Sequence, residues 1–192
     1  MHSEKHFKIY KPYGYLSQFI TNEKPRKKKK LLGELYDFPE GTMSIGRLDQ
    51  DSEGLLLLTT DGKVSANITG GEVEKEYYVQ VDGEITKEAI GKLQKGVEIS
   101  INGKSYSTLP CKAFLLQEKP HFPERTKKIR DERHGPTSWI SITLTEGKFR
   151  QVKKMTAVVG FPTLRLVRVR IGKEFLGNMQ PGEVINLEEF EL

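Results

Sequence analysis

A chain of 192 residues with 31 Lys and Arg against 26 Asp and Glu carries a formal charge of +5, and at this length it can bury about 70% of its unfolded surface without cross-links. The one cysteine, Cys111, rules out an internal disulfide and points to a reducing, cytoplasmic compartment. No signal peptide precedes the first alternating segment and no apolar run is long enough to cross a membrane, so the secreted and membrane-spanning classes are set aside.

Residues 6–10 alternate as a strand does, and Lys11-Pro12-Tyr13-Gly14 breaks that strand into a turn. The polar stretch 22–30 contains Arg26-Lys27-Lys28-Lys29-Lys30, and the spacing of Leu31, Leu32 and Leu35 predicts a short helix ending near Phe38-Pro39. Cations at a helix start oppose its macrodipole, so these lysines serve either phosphates or solubility. A second short strand is predicted over 42–45.

The segment 46–62, G-R-L-D-Q-D-S-E-G-L-L-L-L-T-T-D-G, sets Arg47, Asp49, Asp51 and Glu53 directly before four leucines. That apolar run is too short for an ordinary helix and reads as an interior strand closed by a turn. A polar loop tethered to such a strand holds its carboxylates in fixed positions, although loops with several acids are commonly plain solvated turns.

Asp61 is placed to cap a helix with Val64 and Ile68 on one face and Gly70-Gly71 as its stop. Residues 75–81 predict a strand, and 86–94 a helix with Ile90 and Leu93 facing inward and Gly96 beyond its end. Residues 97–116 are turn-rich β material around the hairpin signal Asn102-Gly103. Between 118 and 136 the hydrophobic pattern fails, which predicts a mobile, basic inserted loop that either grips RNA or is a surface excursion.

Residues 137–144 alternate cleanly as a half-buried strand. In 149–159, Val152, Met155 and Val159 fall at helical spacing, with Arg150 and Lys153 together on another face. Residues 163–171 read as a strand displaying Arg165, Arg168 and Arg170 beside an apolar face, and 183–187 as the last strand. From Gly147 to Lys173 there are eight basic residues and no acid, whereas from Glu174 onward there are five glutamates and no base. Such segregation suggests a face for a polyanion, because clustered cations attract phosphates and release counterions.

Several of these segments, in this order, resemble the RsuA-type pseudouridine synthase family: Lys11-Pro12-Tyr13-Gly14, the Gly46-Arg47-Leu48-Asp49 step with its Asp-Ser-Glu-Gly sequel, Lys75-Glu76-Tyr77, Glu146 through Met155, and Arg168 through Gly172. The resemblance runs through nearly the whole chain, and on its pattern the chain is expected to begin at the catalytic domain without the S4-like RNA-binding module of many relatives. It implies isomerisation of a uridine in large-subunit (23S) ribosomal RNA by breaking its N1 to C1′ bond, turning the base and rejoining it through C5. Reactant and product are isomers, so no cofactor or metal is implied.

By motif position Asp49 is the carboxylate acting at the sugar, whether at C1′ or C2′. Lys153 is the cation a desolvated carboxylate needs to remain charged. Related families carry arginine at that position, and lysine supplies the charge without the bidentate fork. Tyr77 is implied to stack on the displaced base, Leu166 to line its pocket, and Arg47 to lie near the RNA backbone. Arg150, Arg168 and Arg170 are the expected phosphate contacts.

The fold expected is α+β, a single pseudouridine synthase catalytic domain over 1–192. It has a mixed, mainly antiparallel sheet flanked by helices, in two lobes (about 1–62 and 63–192) with Asp49 in the cleft. The expected partner is ribosomal RNA, with no membrane, and the enzyme is expected to be a monomer active in ribosome biogenesis. The rival class is a non-catalytic RNA-binding or ribosome-assembly protein, which has no need of Asp49, Tyr77 and a base at 153 together. A nuclease is disfavoured because Asp49, Asp51 and Glu53 lack a second acidic or histidine motif to share a metal.

Overall fold

The computed structural model describes residues 3–22 and 29–192. In chain order its elements are β1 (His6–Lys11), β2 (Met43–Ile45), β3 (Glu53–Thr59), α1 (Gly62–Gly70), β4 (Lys75–Asp82), α2 (Lys87–Lys95), β5 (Glu98–Ile101), β6 (Lys104–Ser107), β7 (Lys112–Leu115), β8 (Thr137–Leu144), α3 (Gln151–Val158), β9 (Thr163–Ile171), β10 (Glu174–Phe175) and β11 (Val184–Leu187). The chain divides into two compact units. The first comprises Met1–Val73, Pro123–Lys127 and Arg168–Leu192, and the second Glu74–Phe122 and Lys128–Val167.

In the first unit the strands run β11-β1-β3 followed by the end of β9, with β2 on β3 and β10 on β9. β1 pairs antiparallel with both β11 and β3, Tyr10 standing opposite Leu55. Leu55, Leu56, Leu57 and Leu58 are all 0% exposed. Neither face of β3 meets water, which is why its sequence is continuously apolar and does not alternate. Asp61 then caps α1, its Oδ1 accepting from the N–H of Lys63 at 2.8 Å and of Val64 at 3.4 Å.

The helix expected after the basic run is a single 3-10 turn, Leu32–Glu34. Gly33 is a poor helix residue, and Glu34 Oε2 reaches back to the Leu31 N–H at 2.8 Å, closing the turn. Arg26, Lys27 and Lys28 lie outside the described residues. Phe7, Phe19, Tyr36 and Phe38 pack ring against ring at 5.0–5.9 Å, edge to face except for the tilted Phe7–Tyr36 pair, an aromatic cluster with no periodic signal in the sequence.

In the second unit the start of β9 is followed by β4, β8 and β7, with β5 and β6 forming a separate ribbon. β4 and β8 pair antiparallel with Tyr77 opposite Ile142, and β7 pairs with β8 in the same sense. The β5–β6 turn holds Asn102 at φ 50° and Gly103 at φ 75°, the left-handed pair a two-residue hairpin requires. Thr86 caps α2, which buries Ala89 and Leu93; Ile90, expected inward, is only half-buried, because the inward face follows the four-residue step from 89 to 93.

The insertion 118–136 has defined contacts in place of the expected mobility. Phe122 lies between the rings of Tyr78 (6.2 Å) and Trp139 (5.8 Å). Arg130 pairs with Asp82 and donates to the carbonyls of Gly135 (2.8 Å) and Pro136 (3.1 Å). These contacts come from single side chains at irregular spacing, so hydrophobic periodicity could not reveal them. Among the described residues no helix is long and apolar enough to cross a membrane.

Candidate active site

Asp49 lies in the loop joining β2 to β3, and most of the hydrogen bonds described around it fasten that loop to residues 14–18. Ser17 Oγ donates to the Leu48 carbonyl at 2.6 Å and accepts from the Leu48 N–H at 2.9 Å. Both residues are 6% exposed, so the peptide immediately before Asp49 is gripped from both sides out of water. On its other flank, the Gly14 N–H donates to the Gln50 carbonyl at 2.8 Å and Gln50 Nε2 returns a bond to the Gly14 carbonyl at 3.2 Å. The Ser52 N–H closes a turn onto the Asp49 carbonyl at 3.0 Å.

The Lys-Pro-Tyr-Gly turn that receives this loop is itself braced. Lys11 is 0% exposed, and its Nζ donates to the carbonyls of Pro12 (2.9 Å) and Tyr15 (2.8 Å). Such placement uses the ammonium as a staple for backbone acceptors that burial would leave short of partners. Neither Ser17 nor Lys11 was identifiable as a support from its residue type. Ser17 carries no motif, and a lysine in a motif reads first as a surface charge.

Asp49 is half-buried and Arg47 is exposed, with Arg47 Nη2 donating to Gln18 Oε1 at 2.7 Å. Asp51 is half-buried, whereas Glu53, grouped with the polar loop in the sequence, is the first residue of β3 and 2% exposed. Gly54, the second residue of β3, has φ 110°, and an added Cβ there would stand 2.3 Å from the Arg168 carbonyl oxygen.

Arg168 does not present itself to solvent as the strand pattern suggested. It is 3% exposed, its Nε donates to the Leu55 carbonyl at 2.8 Å and its Nη1 to the Arg47 carbonyl at 3.5 Å, so it ties the Asp49 loop to the strand that follows. Arg165 is 9% exposed with its guanidinium over the Phe122 ring at 5.6 Å. Arg170 is half-buried and donates to the Gly172 carbonyl at 2.8 Å. The alternation failed because residues 165 through 168 are all buried, as in an interior strand covered on both faces.

In the second unit Tyr77 stands on β4 (9% exposed), Leu166 on β9 (4% exposed), strands that are neighbours in the sheet, and Lys153 half-exposed on α3. Val152 and Met155 face the interior of that unit, which leaves Lys153 on the flank of the helix. Arg150 does not share the helix face expected for it. It is the residue before α3, in the left-handed region at φ 52°, and gives no side-chain cap.

Gln151 and Glu146 instead brace the segment that leads into α3. Gln151, 4% exposed, accepts the Lys148 N–H at 3.2 Å and donates to Glu146 Oε1 at 2.9 Å. Glu146 also receives the Leu109 N–H at 2.8 Å and the Tyr106 hydroxyl. That hydrogen bond to the carboxylate, aided by burial and the carboxylate's charge, raises the Tyr106 pKa. Lys154 Nζ donates to the Ser100 carbonyl at 2.8 Å, fixing α3 to the β5–β6 ribbon.

Among the described residues no group of three or more His, Cys, Asp or Glu is placed to hold a metal ion. The first unit carries a carboxylate on a braced loop; the second, by itself, carries an aromatic ring, an ammonium and an apolar side chain on packed elements. A carboxylate, a phenol and an ammonium are each capable of general acid or base chemistry.

The fold is shared with a pseudouridylate synthase of known structure, and comparison of the sequence gives the family. The chain belongs to the RNA pseudouridylate synthase family, whose model matches residues 5–158. It is similar to the ribosomal large subunit pseudouridine synthase E of Vibrio parahaemolyticus, with 43% identity over 90% of this chain and 69% of that one. To the protein of the same name from Xanthomonas campestris the identity is 41%, over 91% of both. A crystal structure of a pseudouridylate synthase, 26% identical, superposes with a TM-score of 0.73 over 97% of this chain and 71% of that one.

Proposed function

We propose that this protein isomerises a uridine of large-subunit ribosomal RNA to pseudouridine, with Asp49 as the carboxylate acting at the sugar, Tyr77 as the ring that stacks on the displaced base, and Lys153 as the basic group of the site. The reading is supported first by the two hydrogen bonds between Ser17 and Leu48, which hold the residue before Asp49 where water cannot loosen it. A carboxylate that must meet one ribose atom needs positioning of that kind, since reaction rates fall steeply when reacting groups are misplaced by an ångström.

Extracting a uridine from stacked RNA costs a few kcal/mol, and stacking on one aromatic ring returns about 1–3 kcal/mol. Phosphate contacts supply much of the rest, so binding weakens with salt. Of the eight basic residues between 147 and 173, Lys148 and Lys173 are exposed and Arg150, Lys153, Lys154 and Arg170 half-exposed, so these, with Arg47, reach the solvent from which RNA would be met. Arg168 acts on the protein's own backbone.

The test uses unmodified large-subunit RNA tritiated at uracil C5. Wild type is expected to release tritium and Asp49→Asn to release none while binding the RNA within about twofold of wild type. Equal binding with no release by either protein would hand the case to a non-catalytic RNA-binding or ribosome-assembly protein.

A further inference from the structure

Phe149 stands three residues before Val152, so an earlier start to α3 would have put it on the face that buries Val152 and Met155. Arg150, at φ 52°, breaks the helical path, and Phe149 sits in the turn ahead of α3 with 66% of its surface in water. Among the described residues no aromatic is more exposed; Phe175 follows at 57% and Phe114 at 51%. The turn is held on both sides of the ring. The Gln151 N–H donates to the Lys148 carbonyl at 3.0 Å, the Lys148 N–H to Gln151 Oε1 at 3.2 Å, and the Lys154 N–H to the Arg150 carbonyl at 3.0 Å. We infer that Phe149 is a platform on which an unpaired base of the substrate RNA stacks, a base other than the uridine assigned to Tyr77.

Charge selects a nucleotide as the occupant. No acid occurs from Gly147 to Lys173, and two ammonium groups of this segment lie over aromatic rings. Lys154 Nζ is 5.3 Å from the Phe149 centroid, and Lys148 Nζ is 5.1 Å from that of Tyr106. Lys154 Nζ also donates to the Ser100 carbonyl at 2.8 Å, which fixes that cation, and Lys148 is exposed. The acid just before the segment, Glu146, accepts from the Leu109 N–H, the Gln151 amide and the Tyr106 hydroxyl. A nucleotide matches both features, its base supplying a π-face for the ring and its phosphate the charge that lysines attract. A purely apolar partner would instead have to strip water from the neighbouring ammonium groups. The base must be unpaired, because a duplex keeps its faces stacked on one another.

The proposal rests on the reading of the chain as an RNA-modifying enzyme, and its test separates the two. Wild type, Phe149→Ala, Phe149→Leu, Phe149→Tyr and Lys148→Ala are compared for tritium release and for direct binding to the same unmodified large-subunit RNA at several salt concentrations, with melting temperatures and sedimentation alongside. Phe149→Ala is expected to raise Kd and KM roughly five- to fiftyfold, the span of one lost base stack, with kcat within about twofold. Its plot of log K against log salt should keep the wild-type slope, whereas Lys148→Ala flattens that slope by about 0.7 for a lost phosphate contact. Phe149→Tyr should restore affinity and Phe149→Leu should not, because leucine is apolar but has no ring. In Phe149→Trp the new indole is expected to lose emission as the RNA is added, and to keep it when a fully paired duplex is added. Trp139, the chain's own tryptophan, is 7% exposed, and wild type supplies its background.

An unchanged Kd in Phe149→Ala would overturn the proposal, as would full affinity in Phe149→Leu, which would reduce the contact to apolar burial. A fall in kcat alone would make the residue a brace for α3, and a change in sedimentation with unchanged RNA affinity would make the ring a contact between copies of the chain; either result sinks the stacking role. Should Phe149→Ala fail to fold, the leucine, tyrosine and tryptophan variants decide by the same affinity and emission criteria. Absence of tritium release by wild type would refute the enzyme reading, while Kd and emission would still judge Phe149.

Discussion

Replacing Ser17 with alanine tests whether the Asp49 loop is held by the two short bonds to Leu48. The hydroxyl donates to the Leu48 carbonyl at 2.6 Å and accepts its N–H at 2.9 Å, and with both residues 6% exposed no water can readily take its place. Leaving a buried backbone donor or acceptor without its partner costs about 1–3 kcal/mol, so with partial relaxation the loss comes to about 2–4 kcal/mol. At a urea m-value of about 2 kcal/mol per molar, that lowers the midpoint by about 1–2 M. Turnover in the tritium assay is expected to fall at least tenfold with RNA affinity unchanged, since the residue loosened is the one beside the carboxylate.

Ser44→Ala is the comparison, because Ser44 Oγ donates only to the Ser17 carbonyl, at 3.1 Å, from a half-buried position. It should cost about 1 kcal/mol or less and leave turnover near wild type. A Ser17→Ala midpoint within about 0.2 M of wild type, a shift smaller than the uncertainty of such extrapolations, together with unchanged turnover, would refute the reasoning.

Gly54→Ala forces a side chain into a positive-φ strand position and against the Arg168 carbonyl at 2.3 Å, and is expected to destabilise by about 3–5 kcal/mol. Gly62→Ala, in the first turn of α1 with open space around it, should stabilise by about 0.5–1 kcal/mol, and denaturant unfolding of both reads the contrast. Burial, reinforced by the nearby Glu146 charge, pushes the Cys111 thiol up to about 11 from an ordinary value of 9.0. The folded chain thus holds that proton more tightly than the unfolded chain. The thiol's contribution is fully present below pH 9 and is lost as pH rises toward 11, so stability falls across that window. Alkylation of the native protein should remain slow at pH 8 and accelerate only near pH 11, and an inflection at the ordinary thiol value would contradict the burial argument.

Much of the fold was legible because its signals are local. Four consecutive leucines between glycines could only be a short strand hidden on both faces, and Asn102-Gly103 could only turn a hairpin. Asp61 and Thr86 announced their helices by capping chemistry. The insertion at 118–136 was legible as an interruption but not as an ordered one, since Phe122 and Arg130 find partners on β4 and β8 and at the foot of the loop itself. Arg150 was misplaced because a helix face continued one residue too far, and nothing in a helical wheel signals a left-handed residue at φ 52° ahead of the first turn.

The candidate site divides in the same way. Asp49, Tyr77 and Lys153 stood out through motifs that name residue types at fixed spacings, and the family to which the chain belongs was readable from those motifs. The residues that brace the site were not. Ser17 is an unremarked serine until it meets Leu48, 31 positions away, and Arg168 is one of three similar arginines until its Nε reaches the Leu55 carbonyl, 113 positions away.

Residue order by itself therefore determined where strands, turns and caps begin, which chemistry the chain could carry, and that no disulfide supports it. Tertiary structure alone decided which cations face water and which are spent on backbone carbonyls. A charged side chain becomes a structural donor only when burial removes water and a distant acceptor arrives, and neither event leaves a mark on neighbouring positions in the sequence.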